Sequence, residues 1–115
     1  MSATPPPLEQ DWLNDMVHAI VAIANPKQVI LFGSRARGHT GLDTDVDLLV
    51  IESEPFGAHR SRYREIARLE EAMGMIPLAT DILVYSEEEA EKLRYSPNHV
   101  VALALREGKV LHARS

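Results

Sequence analysis

Val29-Ile30-Leu31-Phe32-Gly33-Ser34, then ten residues, then Asp45-Val46-Asp47-Leu48-Leu49-Val50-Ile51: these two runs and the spacer between them decide how the chain is read. Val29 to Phe32 is continuously apolar and rich in strand formers. Val46 to Ile51 is a run of the same kind interrupted by Asp47, and Leu78 to Val84 is another, interrupted by Asp81. Unbroken apolar runs of this length, as opposed to alternating ones, are the pattern of strands covered on both faces. Three buried strands are therefore expected.

Helical spacing fills the intervals. Trp12, Leu13, Met16, Val17, Ile20, Val21 and Ala24 recur every three or four residues and mark one buried stripe, which Asn25-Pro26 ends. A second helix is expected over His59 to Met73, with Tyr63, Ile66, Ala67, Leu69 and Met73 inward, so that the second and third strands flank it in a βαβ-like unit. Ser86 with Glu89 three residues on reads as a capping box. Ser96-Pro97 is expected to open a further helix closed by Gly108, and Lys109 to His112 to add a last short strand.

Composition limits what such a chain can be. With 115 residues, 45% hydrophobic and 25% charged, it suits one domain over 8–115, and Pro5-Pro6-Pro7 make 1–7 a flexible arm. The net charge of −5 disfavours a sequence-independent grip on nucleic acid, so no direct nucleic-acid binding is expected. No Cys is present, which removes disulfides, thiolate zinc sites and thiol nucleophiles. The longest apolar stretch, Met16 to Ala24, is far shorter than a membrane span, and Met1 to Pro7 lacks the positive charge of a secretion signal. A cytoplasmic protein without membrane attachment is expected.

The acidic residues carry the chemistry. Asp45 and Asp47 stand two apart, so a strand points both carboxylates to one face, and Asp81 can join them from a neighbouring strand. Unit charges about 4 Å apart repel by roughly 4 kcal/mol at an effective dielectric near 20, so converging carboxylates call for a cation. Mg²⁺ fits best, because it takes one or two carboxylates and completes its shell with water and phosphate oxygens. Gly33-Ser34, directly after a strand, forms a turn able to aim N–H groups and a hydroxyl at an anion. Asp43 is read as a solvated turn residue; Asp47 is not, because Leu48-Leu49-Val50 flank it with core.

Two other motifs come close and fail. Asp43, Asp45, Asp47 and Glu54 imitate an EF-hand loop, but Leu48 stands where its sharp turn needs Gly. Gly33 to Thr40 imitates a Walker A loop, but His39 replaces the lysine and a strand, not a helix, is due near Asp45.

Gly33-Ser34, ten residues, Asp45-x-Asp47 and a lone Asp81 in a strand resemble the DNA polymerase beta-like nucleotidyltransferase superfamily. Phe32-Gly33-Ser34-Arg35-Ala36-Arg37-Gly38 and the small size are similar to its minimal nucleotidyltransferase (MNT) branch, the MntA-like antitoxins of HEPN/MNT toxin–antitoxin pairs. The likeness runs from Val29 to about His112, and Thr44 stands where many relatives have Ser. It implies an α/β (α+β) nucleotidyltransferase fold, a small mixed β-sheet flanked by helices. It further implies that Asp45 and Asp47 bind Mg²⁺, that Asp81 is a third ligand or base, and that Gly33 and Ser34 hold the triphosphate of ATP. The implied activity is transfer of AMP to a tyrosine of a HEPN ribonuclease toxin within a hetero-oligomer. The competing reading is an antitoxin that neutralises the HEPN partner by binding alone.

Beside the turn, Arg35 and Arg37 are candidate phosphate contacts, since arginine offers a bidentate fork. Arg60, Arg64 and Arg68 fall at four-residue spacing as a one-sign ridge, with Glu65 off the ridge and the whole face expected to be solvated. His18, His39, His59, His99 and His112 share no ligand spacing, so no zinc site is expected. Tyr85 and Tyr95 border caps and are candidates to pack on a partner.

Overall fold

A strand hidden on both faces must find neighbours on both edges, and Val46 to Glu52 does so as the hub of the sheet. The computed structural model describes residues 9–33, 35, 36, 38 and 45–114. Among these the elements run α1 (Glu9–Ala24), β1 (Gln28–Phe32), β2 (Val46–Glu52), α2 (Arg62–Met73), β3 (Thr80–Ser86), α3 (Glu87–Leu93), α4 (Val100–Glu107) and β4 (Lys109–Ala113). The sheet order is β3-β2-β1-β4. β1 pairs antiparallel with β2 and with β4, whereas β2 and β3 are parallel, joined through α2. The expected mixed sheet flanked by helices and the βαβ-like unit are both present. No described helix is long and apolar enough to cross a membrane.

Alternation along the strands builds two apolar layers. Val29, Leu31, Val46, Leu48, Val50, Ile82 and Val84 face Leu13, Met16, Ile20 and Leu69 of α1 and α2. Ile30, Leu49 and Ile51 face Ala90, Val101 and Ala104 of α3 and α4. Gly108 lets β4 follow α4 without a gap, since a Cβ there would overlap the Ala104 carbonyl oxygen and Ile30 Cγ2.

Several expected boundaries move. The third strand begins at Thr80, not Leu78, because the Leu78 N–H turns back to the Ile76 carbonyl at 2.8 Å. The second helix begins at Arg62, capped by Ser61, whose Oγ accepts the Arg64 N–H at 3.3 Å. Arg62 takes the inward place in its first turn: it donates to the Val84 carbonyl at 2.6 Å, pairs with Glu89 and lies 4.8 Å over the rings of Phe56 and Tyr85. Tyr63, expected inside, is thereby turned outward and is 82% exposed, and Ala67 is exposed as well. The capping box at Ser86 and Glu89 forms with both hydrogen bonds, at 3.1 and 2.9 Å. α4 opens at His99 and not at Ser96-Pro97: His99 Nδ1 accepts the Val101 N–H at 3.1 Å, while Ser96 accepts the His99 N–H in the preceding turn.

The arginine ridge is also corrected. Glu65, expected off the ridge, is buried and takes Arg68 in a bidentate pair at 2.9 Å, while Arg60 bridges Glu52, Glu54 and Glu65. Burial and the facing Glu65 push the Glu52 carboxyl up to about 7, against the pull of Arg60. Glu52 Oε2 is buried without a hydrogen-bond partner among the described residues.

Between the ordinary carboxyl range and pH 7 the folded chain holds a proton on Glu52 that the unfolded chain releases, so this group costs stability as pH rises. Glu52→Gln, which imitates the protonated acid, is expected to melt on the order of 4 °C above wild type at pH 8, with the gain vanishing near pH 4.5. Melting curves of both proteins across that range check it, and parallel profiles would refute the assignment.

Candidate active site

β2 and β3 run parallel and in register, so Asp47 pairs with Asp81 on adjacent strands, and across the other edge Asp47 faces Phe32 of β1. Val46 and Leu48 point to the α1 and α2 layer. Asp47 therefore points to the opposite face, and Phe32, Asp47 and Asp81 form a row across three strands on the side of α3 and α4. Asp45 sits just before β2. Asp45 and Asp81 are exposed and Asp47 is half-buried.

The electrostatics follow from this placement. Burial first, then Asp81 and then Asp45, hold the Asp47 carboxyl above its ordinary value. Gly33 follows β1 directly with φ 76°, a left-handed conformation that favours glycine. A Cβ on Gly33 would overlap Asp47 Oδ2, so glycine here is what lets the turn approach the carboxylate.

Of the sequence-derived candidates, Gly33, Asp45, Asp47 and Asp81 gather at this end of the sheet. Arg35 is near at hand in the chain but buried, 6% exposed, unlike a solvated loop arginine. Ser34 and Arg37 lie outside the described residues, as do Asp43 and Thr44. Among the described residues no group of three or more His, Asp or Glu is placed to hold a metal ion by itself. The donor set nevertheless fits Mg²⁺: all oxygen, with an ionisation that like charges oppose, and suited to an ion that keeps water and phosphate in its shell.

Beside Gly33 lies a cavity of about 180 Å³ lined by Phe32, Gly33, Ala36, Val100, Leu103 and Glu107. The sequence carried its signal: Val100, Leu103 and Glu107 stand at i, i+3 and i+7, a second stripe of α4 distinct from the core-facing Val101 and Ala104.

Residues 18–110 match the family model described as a nucleotidyltransferase domain, and the chain belongs to that family. One solved structure, described as a minimal nucleotidyltransferase, is 28% identical, with 93% of this chain and 98% of that chain covered and a TM-score of 0.57. A protein of Sulfolobus solfataricus described as a nucleotidyltransferase is 20% identical over 90% of this chain and 79% of that one, with a TM-score of 0.57. A complex of a tri-AMPylated Shewanella oneidensis HEPN toxin with an MNT antitoxin matches at 15% identity, covering 93% of this chain and 74% of that one, with a TM-score of 0.53. No curated protein matches the chain in sequence.

Two substitutions test the geometry. Gly33→Ala is expected to cost about 1–3 kcal/mol, for the left-handed backbone and the overlap with Asp47, read as a lowered urea midpoint. Asp47→Asn is expected to raise the melting temperature at pH 7 without divalent ions, because the charged form is disfavoured in the fold. That gain should shrink as pH falls toward 3.8 and the carboxylate protonates in wild type. A lower melting temperature for Asp47→Asn at pH 7 would contradict the repulsion.

Proposed function

We propose that this chain is a cytoplasmic Mg²⁺- and ATP-dependent adenylyltransferase that transfers AMP to a tyrosine hydroxyl of a HEPN ribonuclease toxin and so acts as its antitoxin. The observation that carries the reading is the row of Asp47 and Asp81 on adjacent strands with the Gly33 turn against Asp47. Membership of the nucleotidyltransferase domain family supports the reaction class. A HEPN partner is supported by the Shewanella oneidensis complex, whose toxin is AMPylated.

Asp45 and Asp47 would hold Mg²⁺, with Asp81 as a third ligand or base; the ion's contribution is to neutralise triphosphate charge. Gly33 and Ser34 would seat the phosphates, with Arg35 and Arg37 adding positive charge beside them. The acceptor hydroxyl oxygen attacks the α-phosphorus, the bond from that phosphorus to the bridging oxygen of pyrophosphate breaks, and Asp81 takes the hydroxyl proton. Pyrophosphate leaves and AMP remains on the acceptor.

The test mixes the purified chain with ATP, Mg²⁺ and a candidate HEPN-domain partner protein. A mass gain of one AMP on a partner tyrosine is expected. Asp81→Ala should still bind the partner while slowing transfer at least about a hundredfold, the usual scale of a lost general base. If no adduct forms with wild type and Asp81→Ala silences the partner fully, neutralisation by binding alone replaces this reading.

A further inference from the structure

The proposed reaction constrains where each part of a nucleotide can lie. In an in-line displacement the attacking oxygen and the leaving pyrophosphate occupy opposite sides of the phosphorus. With the phosphates at the Gly33 turn, which closes β1, the acceptor must come from the far side of β2, where Asp81 stands exposed on β3. The cavity of Phe32, Ala36, Val100, Leu103 and Glu107 adjoins Gly33 on the β1 side, away from that approach.

It is equally unsuited to phosphates. Among the described residues, four of its lining side chains are apolar and the other, Glu107, is a carboxylate, which repels an anion. Its volume, about 180 Å³, is below the roughly 300–1,000 Å³ of a site for a whole drug-sized ligand, so it suits one flat ring system. Glu107 is half exposed and touches Arg106 at 3.3 Å, a surface pair that leaves the carboxylate most of its acceptor capacity.

We propose that this cavity between β1 and α4 receives the nucleobase of the donor nucleotide, with Phe32, Val100 and Leu103 as its apolar walls and Glu107 accepting a hydrogen bond from an exocyclic amino group. The inference rests on the adenylyltransferase reading and adds its specificity. Adenine, which carries a 6-amino group, is taken in preference to a base without one. Leu103 is 38% exposed, so the ring enters from solvent past its side chain.

Binding separates this inference from the reading beneath it. Calorimetry with Mg²⁺ compares ATP, purine riboside triphosphate (ATP without its 6-amino group) and tripolyphosphate on wild type, Leu103→Trp and Glu107→Ala. Wild type should bind ATP most tightly. Leu103→Trp, which fills the cavity, should weaken ATP about tenfold while leaving tripolyphosphate unchanged, which also shows that the variant is folded. Glu107→Ala should erase the preference for ATP over purine riboside triphosphate, about fivefold in wild type. If both variants keep wild-type ATP affinity and preference, the base does not lie here although the nucleotide reading stands. If Leu103→Trp keeps ATP binding and loses only transfer, the cavity holds the acceptor ring and the inference is overturned. If wild type binds neither ATP nor tripolyphosphate, the adenylyltransferase reading itself falls, and the base site with it.

Discussion

The in-register parallel pairing of β2 with β3 forces Asp47 and Asp81 onto neighbouring positions of one sheet face, and much else in the molecule answers to that constraint. Strands about 4.8 Å apart leave two carboxylates no room to avoid each other. The pairing survives because the positions beyond them are apolar on both faces: Leu48, Leu49, Val50 and Ile51 of β2 are all buried. Burial of that strand stabilises an arrangement which the acidic end alone would oppose. The cost is concentrated on Asp47, the least exposed of the three, whose ionised form is disfavoured by burial, Asp81 and Asp45 together.

The two ends of β2 treat buried acid differently. At its C-terminal end Glu52 meets Glu65, with Arg60 bridging the two and Arg68 on Glu65, yet Glu52 is still held up at about 7 and keeps one oxygen without a hydrogen-bond partner among the described residues. Through Arg60 this cluster ties the 53–61 segment to β2 and α2. At its N-terminal end burial, Asp81 and Asp45 all oppose the charge on Asp47. Carboxylates perturbed by burial and neighbouring like charges concentrate at functional sites.

How much of this the sequence showed depended on how local the signal was. The three apolar runs, the Ser86 and Glu89 capping box and the Asp45-x-Asp47 spacing are decided within a few residues, and each appears in the fold close to where the pattern placed it. Boundaries shifted by a few residues through local turns and caps, whereas the two misread side chains involve partners distant in the chain. Tyr63 fits an inward stripe by spacing and is displaced by Arg62, whose partners Val84 and Glu89 lie more than twenty residues away. Glu65 looked like an off-ridge surface acid because Glu52 and Arg60 meet it only after β2 and α2 have packed. Of the candidate site, the carboxylate row and the Gly33 turn were legible from spacing. Of the cavity beside them only the α4 wall, Val100, Leu103 and Glu107, left a pattern in one window; its closure against β1 and the turn after it did not, because no single window of sequence brings those elements together.

The site is walled unevenly, and the unevenness bears on what it acts upon. On the β1 side α4 and Phe32 enclose a cavity, whereas on the β3 side Asp81 and the preceding Gly74-Met75 turn stand in solvent, with Met75 99% exposed. Asp81 is exposed, so under the proposed reaction an acceptor can reach it from solvent. A small acceptor would pay in full for the lost translational and rotational freedom with few contacts to offset it. A folded protein that presents a hydroxyl from its own rigid surface brings the missing wall with it, and contacts remote from the reacting oxygen then hold the geometry. If the proposed transfer takes place here, three strand ends and one glycine turn would suffice for it, with position on one side of the phosphorus left to the partner.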